Sequence, residues 1–227
     1  MQNIDKNLAK VRRQIDHSAS QYGRDTGTIS LLAVSKKKPA SDLRSAYECG
    51  QHDFGENYLQ EAQDKMLELA DLDIVWHFIG PVQSNKTRAL AESFDWVHCV
   101  DRQKIAQRLS DQRPDSMPPL NVCIQVNIDL EKSKSGVAPG DIISLAEQIH
   151  KLPQIRLRGL MAIPAQTPDF EFQRRPFAKL KQALGDLQQR GMDCDTLSMG
   201  MSYDMQAAIA EGSTLVRIGT AIFGERV

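Results

Sequence analysis

A short apolar run followed by a stretch with helical spacing recurs along this chain about eight times, and few architectures absorb that alternation. Strand-like runs fall at 31–34, 54–57, 74–79, 96–100, 122–127, 157–163, 196–202 and 215–220. Between them, apolar residues return every three or four positions, as in Leu43, Ala46 and Tyr47 or Phe177, Leu180, Leu184 and Leu187. Glycines 50, 191 and 212 stand where those helices should stop. The pattern predicts an α/β fold, a single (β/α)8 TIM barrel spanning 1–227 as one domain. Ile4, Leu8, Val11, Ile15 and Tyr22 add an N-terminal amphipathic helix that would cover part of the barrel. A doubly wound sheet is the competing architecture, but no G-x-G-x-x-G follows the first strand.

In a barrel the C-terminal strand ends converge on one mouth, so distant residues become neighbours. Lys36, Asn57, His77, Asn127, the 198–202 segment and the 217–220 segment would surround it. Lys36 continues the parity of Leu32 and Val34, whereas Lys37 takes the opposite face. An inward lysine at an apolar mouth sheds its proton more easily and attacks aldehydes; the plainer reading is three solvated lysines on a turn. Gly200, Ser202, Gly219 and Thr220 occupy the loops after the last two strands, where barrel phosphate sites commonly lie. Ser202 is expected to cap the following helix, and Asn57, with Gln60 three residues on, to cap an earlier one. Arg217 shares the parity of Leu215 and Gly219 and should also point inward. One amine and one phosphate site across the same mouth suit pyridoxal 5'-phosphate, PLP, which carries an aldehyde and a phosphate; an inward arginine then has the pyridine nitrogen as acceptor. His77, between Trp76 and Phe78, reads as structural rather than as an acid or base.

Other features set bounds. A formal charge of −1 leaves no electrostatic footprint for nucleic acid or an anionic membrane. Cys49, Cys99, Cys123 and Cys194 are widely spaced, and the five histidines form no ligand pair, so neither a disulfide framework nor a metal site is expected. With no signal-like N-terminus and no membrane-length apolar run, a cytoplasmic location is expected. The 113–119 stretch reads as a loop at the barrel's stability end, and 129–136 as an exposed connection able to move over the site.

Taken in order, Ala33-Val34-Ser35-Lys36, Phe54-Gly55-Glu56-Asn57-Tyr58, His77-Phe78-Ile79-Gly80, the stretch 157–164, Ser198-Met199-Gly200-Met201-Ser202 and Arg217-Ile218-Gly219-Thr220-Ala221-Ile222-Phe223-Gly224 resemble the pyridoxal phosphate homeostasis proteins, the YggS/PROSC family. That family looks like the N-terminal barrel domain of alanine racemase, PLP fold type III, standing alone. The resemblance implies that Lys36 holds PLP as a Schiff base. It also implies that Ser202, Gly219 and Thr220 hold the phosphate, that Arg217 approaches the pyridine nitrogen, and that Asn57 neighbours the cofactor. Lys37, where the family often has threonine, and Pro81-Val82 depart from its pattern.

The implied role is PLP homeostasis without substantial catalysis, by a monomer or weak dimer that serves PLP-dependent apoenzymes. An arginine at the ring nitrogen weakens the cofactor as an electron sink, and a chain closing at Val227 is expected to lack the second domain with which racemases complete their site. The alternative is a stand-alone PLP-dependent amino-acid racemase with Tyr58, Tyr203 or His77 as base. A third reading, a cofactor-free sugar-phosphate isomerase, would require Glu56 as a carboxylate base.

Overall fold

The computed structural model describes residues 3–131 and 133–225. Eight parallel strands close into a barrel in the order β1 to β8. They are β1 (Ser30–Val34), β2 (Asp53–Glu56), β3 (Val75–Phe78), β4 (Trp96–Val100), β5 (Leu120–Val126), β6 (Ile155–Ala162), β7 (Thr196–Ser198) and β8 (Leu215–Ile218). β8 returns to β1, with Leu32 opposite Arg217 and Ala33 opposite Ile218. The outer helices are α2 (Ala40–Glu48), α3 (Leu59–Glu68), α4 (Thr87–Ser93), α5 (Gln103–Gln112), α6 (Ile142–His150), α7 (Phe170–Gln189), α8 (Met205–Ala210) and α9 (Thr220–Phe223). The predicted extra helix is α1 (Ile4–Gln21), whose Ile4, Leu8, Val11 and Ile15 are buried as expected. The termini of the predicted 1–227 domain lie outside the described residues.

Outward-facing strand residues and the inner helix faces make the apolar core, including Ala33, Phe54, Phe78, Val97, Leu160 and Leu197 against Leu43, Ala62, Leu90, Ile105 and Leu180. The lower barrel interior is polar instead. Arg158 closes part of it by bonding Asp195 and Asn121 and lying 4.8 Å from the centre of the Trp96 ring. Arg113 in the 113–119 loop is buried and donates to the carbonyls of Ala91, Phe94 and Pro118, so this loop is tied to the barrel's lower end.

Both expected caps move. α3 begins at Leu59 with Tyr58 at its N-cap, so Asn57 caps nothing. α8 begins at Met205 with Asp204 before it, and the Asp204 carboxylate accepts from the Met201 N–H at 2.6 Å. Ser202 is therefore not the cap, and the helix N-terminus expected beside it lies behind a carboxyl group. In each case the chain spends one or two further residues turning before the first helical hydrogen bond forms.

Candidate functional site

The barrel mouth opens into a cavity of about 340 Å³, within the range of small-molecule sites. Lys36, Asn57, Ser202, Arg217, Gly219 and Thr220 all line it, brought together from the ends of β1, β2, β7 and β8. Val34 lines it beside Lys36, as the parity of β1 required. Ile79, Met161, Ile163 and Phe223 supply apolar wall; Tyr203, one of the candidate racemase bases, lines it too, and Lys38 and Gln166 add polar groups that sequence reasoning did not assign.

The three lysines part company at the β1 corner. Lys36 is half-buried at the cavity; Lys37 adopts a left-handed φ of 61°, is exposed, and donates its backbone N–H to Glu61. Lys38 is buried, with Nζ donating to the Glu225 carbonyl at 2.7 Å. It is not a solvated flanking charge, because the turn at Lys37 folds it back under the C-terminal segment. Ser35 is fully buried, its hydroxyl donating to Glu56 Oε1 at 2.7 Å and its carbonyl accepting from Lys65 Nζ at 2.9 Å. Lys65 also pairs with Glu56 at 2.7 Å and Glu61 at 2.6 Å. These bonds anchor the residue next to Lys36 on both its side chain and its backbone.

Glu56 points away from the cavity into this cluster. Burial raises its pKa, opposed by the charge and hydrogen bond of Lys65. It cannot act as a base at the mouth, which removes the isomerase reading. His77 is also not at the mouth: it is buried below, bonding Asp53 and His98, in keeping with its structural reading. Asn127 turns its amide into its own loop, donating to the Glu131 and Lys134 carbonyls and accepting from the Glu131 N–H. Asp129, beyond it, accepts from the Ala165 N–H at 2.6 Å, so the expected exposed connection is tethered at both positions; residue 132 within it lies outside the described residues.

The Arg217 guanidinium is buried and donates, among the described residues, to neutral acceptors: the Ser198 carbonyl, Ser198 Oγ at 2.7 Å and the Ala162 carbonyl at 2.9 Å. Three of its five N–H donors are thereby placed among the described residues. Burial lowers its pKa from the free value, with Cys99 and Asp204 opposing. Gly219 packs against β1 so closely that a Cβ would stand 3.0 Å from the Val34 carbonyl oxygen. Thr220 and Ala221 follow with the first N–H groups of α9, which have no acceptor inside the helix. Asn57 Oδ1 is buried without a hydrogen-bond partner among the described residues.

An amine, a buried cation with donors to spare, a hydroxyl-and-amide edge and an orphaned acceptor around one cavity fit PLP in chemistry and in size. No group of three or more potential metal-ligating side chains occurs among the described residues. Cys99, Cys123 and Cys194 are buried and all four cysteines are unpaired.

The family model described as alanine racemase, N-terminal domain, matches residues 2–227. Curated relatives include a pyridoxal phosphate homeostasis protein of Pseudomonas aeruginosa, 59% identical over 226 residues that cover 100% of this chain and 97% of that protein. Another of the same name, from Escherichia coli K12, is 52% identical over 229 residues, covering 100% and 98%. Among solved structures, PipY of Synechococcus elongatus with PLP bound superposes with a TM-score of 0.86 at 37% identity, covering 98% of this chain and all of that one. Alanine racemase from Corynebacterium glutamicum shares the fold at a TM-score of 0.69 and 18% identity, with 60% of its length covered. The chain therefore belongs to the alanine racemase N-terminal domain family and, within it, to the pyridoxal phosphate homeostasis proteins.

Proposed function

We propose that this protein binds PLP in the barrel-mouth cavity, carries it on the Lys36 amine, and serves intracellular PLP homeostasis by holding and releasing it. The observation that carries this reading is the convergence of Lys36, Asn57, Ser202, Arg217, Gly219 and Thr220 on one cavity. PLP supplies an aldehyde, which condenses with a primary amine and releases water, and a phosphate dianion. Lys36 provides the amine, held in register by the Ser35–Glu56–Lys65 cluster. Ser202, Thr220 and the first amides of α9 hold the phosphate through hydroxyl and N–H donors. Arg217 gives an N–H to the ring nitrogen; as a group that does not surrender its proton, it disfavours a protonated ring. Asn57 accepts from the cofactor through its orphaned oxygen.

Holding rather than turnover is supported by the lining of the cavity. Of the three bases considered for a racemase, only Tyr203 lines it, and burial and the neighbouring Asp204 push its phenol pKa upward, which favours the protonated form over the phenolate a base would need. The name of the curated relatives points the same way. The recipients are PLP-dependent apoenzymes, and the acting form is a monomer or weak dimer: exposed Tyr58, Leu67, Leu130 and Phe172 are scattered over separate segments. One core cluster runs from α1 to α9, which supports a single domain over 1–227. Unpaired cysteines suit the cytoplasm, and no helix among the described residues is long and apolar enough to cross a membrane.

Titrating dialysed protein with PLP while following visible absorption tests the reading. Saturable binding that Lys36→Ala abolishes is expected, and no binding would reject it. Rapid conversion of a free L-amino acid to its D form by the loaded protein would replace the carrier reading with the racemase one.

A further inference from the structure

Below the cavity, five side chains from five strands form an unbroken hydrogen-bonded file across the barrel interior. Arg217 Nη1 reaches Ser198 Oγ at 2.7 Å. Ser198 Oγ lies 2.8 Å from His98 Nδ1, His98 Nε2 lies 2.9 Å from His77 Nδ1, and His77 Nε2 lies 3.0 Å from Asp53 Oδ1. The four members nearest the cavity are buried; Asp53, at the start of β2, is partly open to solvent at the opposite end of the barrel. Nothing in the proposed binding chemistry uses His77, His98 or Asp53.

The two ends of the file fix its sense. A guanidinium can only donate and a carboxylate can only accept. Ser198 Oγ accepts from Arg217, so its single proton is available to His98 Nδ1. His98 then carries its proton on Nε2 and donates to His77 Nδ1, and His77 carries its proton on Nε2 and donates to Asp53. The opposite sense would require His77 to hold a second proton, since its Nε2 must still donate to Asp53, and would turn the Ser198 hydroxyl away from His98. Burial, His77 and Arg217 all depress the His98 pKa, in keeping with a neutral His98. His77 is further fixed by stacking on Trp96, with ring centres 5.4 Å apart and planes 11° from parallel.

The geometry points to a one-directional relay, Arg217 to Ser198 to His98 to His77 to Asp53, that holds both histidines as neutral Nε2–H tautomers and positions the Arg217 guanidinium toward the ring of the bound cofactor. Among the described residues no carboxylate bonds Arg217, and its orientation follows the Ser198 hydroxyl and two carbonyls. The hydroxyl keeps a lone pair toward Arg217 because His98 takes its proton. Ser198, His98 and His77 are thus positioning residues that act through Arg217. The positioning half of this inference rests on the PLP reading of the cavity; the tautomer half does not.

The test has two arms. Long-range proton–nitrogen spectra of the apoprotein, labelled on the histidine ring nitrogens, should show His77 and His98 as Nε2–H tautomers. An Nδ1–H tautomer at either position overturns the relay. In the second arm, Ser198→Ala should release His98 into a mixture of tautomers and shift the visible absorption maximum of bound PLP. Ser198→Thr, which keeps the hydroxyl, should restore both signals. A Ser198→Ala protein that binds PLP with an unchanged spectrum overturns the positioning role. Wild-type protein with both expected tautomers but no PLP binding would leave the relay standing and overturn its assignment to the cofactor ring, separating this inference from the functional reading.

Discussion

Replacing Lys65 with methionine should destabilise the protein in a strongly pH-dependent way. Lys65 Nζ bonds the Ser35 carbonyl at 2.9 Å and Glu56 Oε1 at 2.7 Å, with 6% side-chain exposure for the lysine and none for Glu56. Leaving a buried carboxylate uncompensated costs about 3–5 kcal/mol. Glu56 has an escape, which is to bind a proton. The work of doing so is about 1.4 kcal/mol per pH unit above an ordinary glutamate pKa of about 4.3, so it caps the charge penalty near 3.7 kcal/mol at pH 7 and near 1 kcal/mol at pH 5. Losing the donor to the Ser35 carbonyl adds about 1 kcal/mol at either pH. The total loss is then about 4–5 kcal/mol at pH 7 and about 2 kcal/mol at pH 5. The sign follows from linkage: burial raises the Glu56 pKa and Lys65 lowers it, so removing Lys65 raises it further. The folded variant binds the proton more tightly than the unfolded chain, and its deficit shrinks as pH falls from 7 toward the unfolded value. Urea denaturation of both proteins at the two pH values measures this. Adding Glu56→Gln to the variant should abolish the difference between pH values. A deficit independent of pH, or below about 1 kcal/mol at pH 7, would refute the reasoning.

The remaining consequences concern the cavity and the core. Ser202→Ala should weaken PLP binding by about 2- to 10-fold, the value of one hydrogen bond, while leaving the unfolding free energy within about 0.5 kcal/mol, because Asp204 rather than Ser202 precedes α8. Asp204→Ala should lower that free energy by about 1 kcal/mol through loss of the Met201 N–H acceptor. Gly219→Ala should weaken PLP binding more than Ser202→Ala does, because its methyl, 3.0 Å from the Val34 carbonyl oxygen, must push the phosphate-holding turn away from β1. Gly200→Ala should destabilise the fold in thermal denaturation, since φ is +98° and the added carbon would stand 2.7 Å from Ala208 Cβ. Alkylation of the native protein near pH 8 should label Cys49 first: burial pushes the Cys99 thiol up to about 12 and the Cys194 thiol to about 11, and raises Cys123 as well.

Periodicity and parity explain which features were legible in the chain. The eight strands and the extra helix are written in apolar spacing, because each must bury one face. Lys36 and Arg217 were readable because strand parity alone decides which side chains face the barrel interior. Parity does not give height along the axis, so it could not tell that His77 lies below the cavity while Asn57, one strand away, lines it. Caps were misplaced at Asn57 and Ser202 because a capping residue is recognised by its backbone geometry, which composition does not determine. Lys38 was invisible for a related reason: the left-handed turn at Lys37 redirects the chain, and lysine seldom adopts it. His98 and Ser198 carried a signal in their inward parity, but their partnership is across strands distant in sequence.

The central claim is that Lys36 is the amine that carries PLP. Reducing the PLP-loaded protein with borohydride, digesting it and mapping the modified peptide tests it directly. The account predicts a single stable pyridoxyl label on Lys36 in the wild-type protein. A label on Lys37 or Lys38 in place of Lys36, or no label after incubation with PLP, would contradict it.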